Sequence, residues 1–416
     1  MLTAIGDPIR FQIDHQCPQC GAPATLEETD RLFQCQYCRV KSYLQAKQFR
    51  YVLPSNAPED KELIYVPYWR FKGMRFSCLA KGMEHQLVDV SHKAIHEEQF
   101  PRSVGLRSQT QKLRFASSDI KGRFLAPTLP FSEMIHIIDK RFKPSHTKPI
   151  VHQADIGDSL SIIYSPFYFD GNFMDAILNK PVTKRLPDDF DVSTYAGKRL
   201  DWNMHFLPTL CPHCGWDMEG ERDSQVLSCG NCSSVYHPGE NGFTKLSTVH
   251  LAAEGEHLRY MPFWRIKADV SHISLTSYAD LVREANLSKT IQPGMPNPSF
   301  YFWALAFKVR PQFFIKLSQA MTVAQPAGKF LKGIPSSGNL HPVNLPLKEG
   351  LESLKLTLSG MIKPRHKIVS LLPEIKIKPI SYVLVYLPFI EKHHEWVQPG
   401  MHMAINKNML AHARNL

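Results

Sequence analysis

No run of apolar residues in the sequence approaches the roughly 18 needed to cross a bilayer as a helix. The longest runs, Phe300 to Phe307 and Ile380 to Leu387, have the length of buried strands. A helical membrane protein is therefore excluded on composition. A disordered chain is excluded as well, because 43% apolar, 11% aromatic and 21% charged residues belong to a chain that folds. Large enzyme families go unsupported: there is no phosphate loop, no Gly-x-Gly-x-x-Gly, no His-Glu-x-x-His and no Gly-x-Ser-x-Gly. The first residues lack the basic and then apolar stretch of a secretory signal, which gives the expectation of a cytoplasmic protein. A chain of 416 residues is expected to form more than one domain, at about 100 to 200 residues each.

What is present is cysteine in an ordered pattern. Eight of the nine cysteines form four Cys-x-x-Cys pairs, Cys17/Cys20, Cys35/Cys38, Cys211/Cys214 and Cys229/Cys232, leaving Cys78 alone. The gaps from Cys20 to Cys35 and from Cys214 to Cys229 each hold 14 residues. Two residues between paired cysteines let both thiolates face one tetrahedron, and a short hairpin brings the second pair opposite the first. Each first pair continues the pattern, as Cys17-Pro-Gln-Cys20-Gly21 and Cys211-Pro-His-Cys214-Gly215, with a proline to stiffen the turn and a glycine free to take positive φ. Arg31 to Gln34 and Ser224 to Ser228 read as return strands of the two hairpins, followed by strands at Val40 to Tyr43 and Ser234 to His237.

These residues resemble the zinc-ribbon, rubredoxin-like fold group, present twice. The resemblance covers about 30 residues in each half and implies two structural zinc ions. It implies no particular function, since ribbons serve polymerase subunits, helicases, ribosomal proteins and adaptors alike. Four thiolates also accept iron of the rubredoxin type, and disulfide or thioredoxin-like redox pairs are a further reading. Cys78 reads as a small buried hydrophobe.

The repetition extends past the cysteines. Tyr65-Val-Pro-Tyr-Trp69-Arg70-Phe-Lys72 is matched by Tyr260-Met-Pro-Phe-Trp264-Arg265-Ile-Lys267, at an offset of 195 against 194 for the cysteines. Ser161 to Pro166 is echoed by Val383 to Pro388, and helices are expected near Phe131 to Asp139 and Phe313 to Leu317. The expected fold class is α+β and β-rich, with two four-cysteine ribbons, each followed by a mixed body of strands and short helices, in an internal duplication. The expected boundaries are a ribbon at 1–48, a body at 49–183, a connector at 184–206, a second ribbon at 207–247 and a second body at 248–416. The second body holds a Pro-, Gly- and Ser-rich loop insertion near 326–350.

Two features invite a functional reading. Tyr65, Trp69, Arg70, Tyr260, Trp264 and Arg265 could stack on bases and pair with phosphates, or form core strands whose guanidinium is pinned by a carboxylate or stacked on a ring. Net charge is +11, and two four-thiolate zinc sites would lower it to about +7. Residues 101–150 carry ten cations against three carboxylates, with Arg102, Arg107, Lys112, Arg114, Lys121 and Arg123 as candidate anion or nucleic-acid contacts. His92 and His96, four apart, would share a metal only on a helix. The leading expectation is a zinc-binding, non-enzymatic scaffold or adaptor within a larger assembly, partnered by another protein. The alternative is nucleic-acid binding through the ribbons and the basic stretch, and a third reading is an enzyme with an unfamiliar site. The sequence sets neither the oligomeric state nor the biological process.

Overall fold

The computed structural model describes residues 11–142, 149–182, 202–239, 242–255, 257–288, 297–336, 339–401, 403–411 and 413. Most of the expected connector, and Lys143 and Lys148 of the basic stretch, lie outside them. The architecture is strand-rich, 43% strand against 18% helix, which agrees with an α+β class weighted toward β. Two compact units make up the chain, and both are discontinuous in sequence. The first is Met1–Lys72, Asp89–His146 and Ser159–Pro208, and the second is Gly73–Val88, Thr147–Asp158 and Thr209–Leu416.

The first unit begins with β1 (Gln12–Gln16) and β2 (Pro23–Glu27), an antiparallel pair, then the hairpin β3 (Leu32–Gln34) and β4 (Lys41–Gln45). Next come β5 (Phe49–Val52), β6 (Ile64–Leu79) and β7 (Gly82–Lys93). A helical turn α1 (Arg107–Thr110) leads to β8 (Lys112–Phe115) and β9 (Arg123–Phe124). Helix α2 (Phe131–Phe142) precedes β10 (Ile150–Phe169), β11 (Phe173–Asp175) and β12 (Lys180–Pro181). The sheet runs β12-β11-β10-β5-β8-β1-β2, with β6 also against β10, β7 and β9. Strand β13 (His205–Pro208) joins the first ribbon hairpin, His205 opposite Gln45. The core gathers Ile13, Tyr51, Val66, Tyr68, Leu113, Ile163 and Phe167.

Strand β6 explains why the repeated octapeptide reads as it does. Its residues from Ile64 to Phe71 are buried on both faces, so polar atoms among them need partners inside. Trp69 Nε1 donates to Leu129 O at 2.8 Å, and Arg70 is held by Glu28 and Asp89 with its guanidinium 4.7 Å from the Phe11 ring centre. Burial disfavours the Arg70 charge, but the two carboxylates outweigh that and raise its pKa further.

The second unit contains β14 (Leu227–Cys229), β15 (Ser234–Gly239), β16 (Gly242–Leu246), β17 (Thr248–Leu251) and β18 (Leu258–Val270). Helix α3 (Tyr278–Glu284), β19 (Phe302–Leu305) and α4 (Pro311–Ala324) follow, with Pro311 at the first helical turn, where its missing N–H costs nothing. Then come β20 (Phe330–Lys332), β21 (Asn339–Leu340), α5 (Leu347–Glu352), α6 (Leu354–Met361) and α7 (Arg365–Leu371). The long β22 (Ile377–Lys392), β23 (Glu395–Gln398), β24 (Met403–Asn406) and α8 (Lys407–Ala411) close the chain. The sheet order is β19-β18-β22-β17-β20.

Segments early in the sequence complete this core. Met74, Phe76 and Cys78 of β6 and Ile156 of β10 are buried in one cluster with Phe263, Phe314, Leu356 and Leu358. Arg365 donates to Gly82 O at 2.7 Å, Arg75 pairs with Asp155 at 2.8 Å, and Glu349 accepts from Gly157 N at 2.8 Å. Gly157 has φ +69, and a Cβ there would stand 3.3 Å from Leu345 Cδ2, so a larger residue would be strained.

Two expectations meet a different outcome here. The Pro-, Gly- and Ser-rich stretch is not loop throughout: β20 pairs with β17 and β21 pairs with β18, which satisfies backbone groups that a loop would leave to water. The run from Ile380 to Leu387 is buried only from Leu384 onward, while Ile380 and Tyr382 are 55% and 48% exposed. β17 begins its pairing with β22 at Leu384, so the earlier residues lack that neighbour.

Candidate metal centres

The ribbon turns bring each set of four cysteines together. Within each tetrad, Cys17/Cys20/Cys35/Cys38 and Cys211/Cys214/Cys229/Cys232, one sulfur per residue lies within 4.8 Å of all the others. The nearest sulfurs are 3.7 Å apart for Cys17 and Cys38, 3.6 Å for Cys20 and Cys35, 3.7 Å for Cys211 and Cys232, and 3.5 Å for Cys214 and Cys229. A tetrahedron with metal–sulfur bonds of about 2.3 Å has edges of about 3.8 Å. A disulfide needs about 2.05 Å, so none of these pairs is bonded. The donor set and the spacing fit a four-thiolate metal ion.

The local sequence produces this geometry. Gly21 and Gly215 have φ +71 and +72, and each returns its N–H to the first cysteine's carbonyl at 2.9 Å. The first cysteine's own N–H is taken by Ala22 O and Trp216 O, both at 2.8 Å. In the second turn of each ribbon the left-handed position falls on Arg39, φ 61, and Ser233, φ 50. Nothing in those residue types announces it, and that detail escapes sequence reasoning. Cys17, Cys35, Cys211 and Cys229 are buried, whereas Cys20 and Cys214 reach solvent.

The surroundings favour thiolate at one cysteine of each tetrad and oppose it at another. Backbone N–H groups, that of Cys38 foremost, draw Cys35 down to about 6. Burial works against ionising Cys211, yet the Tyr236 hydroxyl, 3.4 Å from its sulfur, and nearby amides bring it down to about 6. Cys38 is favoured by the Val40 amide, but burial and the neighbouring sulfurs push it up to about 12, and burial first, then the same crowding, does this to Cys229. Like charges confined to one tetrahedron resist joint ionisation until a cation shares them.

The other candidate residues separate into groups. Tyr65, Trp69, Arg70, Tyr260 and Trp264 are buried, so their rings are not open to stacking by a nucleobase. Trp264 Nε1 donates to Leu345 O at 3.1 Å. Arg265 is half-buried and lies 5.0 Å from the ring centres of both Tyr301 and Phe330. Within the basic stretch, Arg107 pairs with buried Asp175 at 2.5 Å, Arg123 with Glu62, Lys112 with Asp14 at 3.7 Å and Arg114 with Asp119 at 3.8 Å. Arg102 and Lys121 are exposed. His92 is buried at the end of a strand, its Nδ1 2.8 Å from Lys93 O, and His96 is exposed, so the helical spacing that would pair them is absent.

An open cleft of about 960 Å³ lies in the first unit beside the Cys17 turn. Asp14, Lys112, Arg114 and Asp119 stand at it, with Phe115 and Phe206 among its apolar walls. No helix among the described residues is long and apolar enough to cross a membrane. Compared with known protein families, with curated proteins and with solved structures, the chain matches none.

Proposed function

We propose that the protein is a zinc-binding, non-enzymatic scaffold or adaptor whose two tetrads each hold one structural zinc ion. The observation that carries this reading is the closure of both sites: four sulfurs fill the tetrahedron and leave no position for water or substrate. Zinc there crosslinks turns whose own cores are small, so that metal binding and ribbon folding form one equilibrium.

An internal duplication belongs to the same reading, although residues 73–88 and 147–158 of the expected first body, 49–183, fall in the second unit together with the expected second body, 248–416. Support comes from matching connections. The strand leaving each ribbon runs parallel to the last long strand, Phe49 opposite Ser161 and Thr248 opposite Leu384. The octapeptide strand pairs with that same long strand in both halves. Trp69 and Trp264 each donate to a leucine carbonyl farther along the chain. A duplicated frame with closed metal sites provides docking surfaces rather than a reaction centre, and the cytoplasm, where thiols stay reduced, suits it.

The test is isolation of the intact protein from its own cells, with mass measured by light scattering. The reading expects a complex heavier than the 47.5 kDa chain that persists at high salt and falls apart when a chelator removes the zinc. A chelator-insensitive monomer would overturn it. Nucleic-acid binding is the second reading, favoured by Lys112 and Arg114 at the cleft beside the first tetrad. Its test is titration with single-stranded and duplex oligonucleotides at about 50 and 200 mM salt, where phosphate contacts lose affinity by orders of magnitude. The carboxylates paired with Arg107, Lys112, Arg114 and Arg123 weigh against it.

A further inference from the structure

The cleft in the first unit has a charge pattern that selects among partners. It opens where the parallel strands β1 and β8 end, with Gln12 opposite Lys112 and Asp14 opposite Arg114. Its rim alternates in sign: Lys112 lies 3.7 Å from Asp14 and Arg114 lies 3.8 Å from Asp119, with all four side chains between 47% and 71% exposed. Ion pairs this long and this wet are weak, so they exchange readily for pairs with a ligand. Aromatic side chains stand among the cleft's walls, with the His15 ring stacked on Phe206 at 4.9 Å and edge-on to Phe115 at 5.6 Å. The volume falls within the range of about 300 to 1,000 Å³ seen for ligand sites.

A polyanion laid here would meet two carboxylates along with the two cations. A polypeptide that presents a carboxylate and a cation on either side of an apolar residue pairs with a cation and a carboxylate of the rim and covers the aromatic side chains between them. Gln16, Thr25, Ser117 and Asn203, also at the cleft, carry polar side chains within reach of such a chain's backbone. We propose that this cleft is the docking site for a short segment of a partner protein in which acidic and basic side chains flank an apolar one. The proposal rests on the scaffold reading and names the chemistry of its partner.

The test is selection of a display library of short random peptides on the intact, zinc-loaded protein, followed by fluorescence titration of the enriched peptides. Enriched peptides are expected to carry an acidic and a basic residue around an apolar one. The variant K112E/R114E is expected to weaken them by about tenfold or more while keeping both zinc ions. Because the substituted side chains are exposed, the fold tolerates the change. Adding D14K/D119K is expected to restore binding to peptides whose charges have been exchanged. The proposal is overturned if no peptide is enriched, or if enriched peptides bind K112E/R114E as tightly as the parent. It is also overturned if oligonucleotides bind instead and lose affinity in that variant, which would assign the cleft to nucleic acid. A cellular complex that survives in K112E/R114E removes the cleft but leaves the scaffold reading standing, so the two failures are distinguishable.

Discussion

Phe71 and Phe76 lie five residues apart on one strand, and the structure assigns them to different compact units. Both are 1% exposed. The Phe71 ring packs 6.0 Å from Phe131 in α2, and the Phe76 ring packs 6.0 Å from Phe314 in α4. Truncating a buried phenylalanine to alanine removes its transfer free energy and leaves a cavity, typically about 3–5 kcal/mol in all. Phe76→Ala should therefore destabilise the second unit by about that amount, although the residue belongs to the early part of the chain. Phe71→Ala should destabilise the first unit comparably. Amide hydrogen exchange resolves the two, because it reports opening segment by segment and does not assume a single transition. In Phe76→Ala, protection is expected to fall in α4, α6 and β18, while β5 and β8 keep theirs. In Phe71→Ala the loss is expected in β5, β8 and α2. If Phe76→Ala leaves α4 and α6 unchanged and loosens the first unit alone, the interleaving of segments into the second core is wrong.

Further outcomes follow from the same contacts. Chains 1–208 and 209–416 made separately should not both fold, because the second lacks Met74, Phe76, Cys78 and Ile156; a soluble, cooperatively melting 209–416 would contradict this. His341 is 7% exposed, accepts from Arg259 at 2.9 Å, and is brought down to about 3 by burial and then by the arginine's charge. Its folded pKa lies below the unfolded value, so its stability contribution is complete above about pH 6.5 and is lost as pH falls toward the folded value. Relative to His341→Gln, the parent should lose about 2 kcal/mol more between about pH 6.5 and 5, measured by denaturant unfolding. Asp280 caps α3: burial opposes its charge, but the amides of Thr276 and Ser277, both at 3.0 Å, and nearby hydroxyls hold its pKa well below the usual carboxylate range. Asp280→Asn should cost about 1–2 kcal/mol at neutral pH. That difference should shrink as pH falls below about 4, because a depressed folded pKa gives stability that acid removes. An effect independent of pH would contradict the cap.

How much of this is legible in the sequence depends on the distance over which each feature is encoded. The tetrads are readable because Cys17 and Cys20 define half a site within one turn and the repeat at Cys211 doubles the signal. Helices α2 and α4 are readable from local periodicity and the breaks before them. The ion pairs are not: Arg107 finds Asp175, and Arg70 finds Glu28, only through sheet pairing, so counting charges along residues 101–150 overstates the free positive field. The mixing of segments between units is equally hidden. Residues 64–79 form one strand, of which the repeated motif marks only Tyr65 to Lys72, and nothing local says that the core they fill changes near Lys72. The stretch after Pro326 looks like a loop by composition, yet Phe330 to Lys332 pair because β17 offers an open edge.

The central claim, that each tetrad is a closed structural zinc site, is tested most directly by counting metal. Elemental analysis and native mass spectrometry of the intact protein should find two zinc ions per chain, and one in either Cys17→Ser or Cys211→Ser, with amide protection lost around the substituted ribbon. Two zinc ions retained in either variant, or iron in place of zinc, would contradict the account.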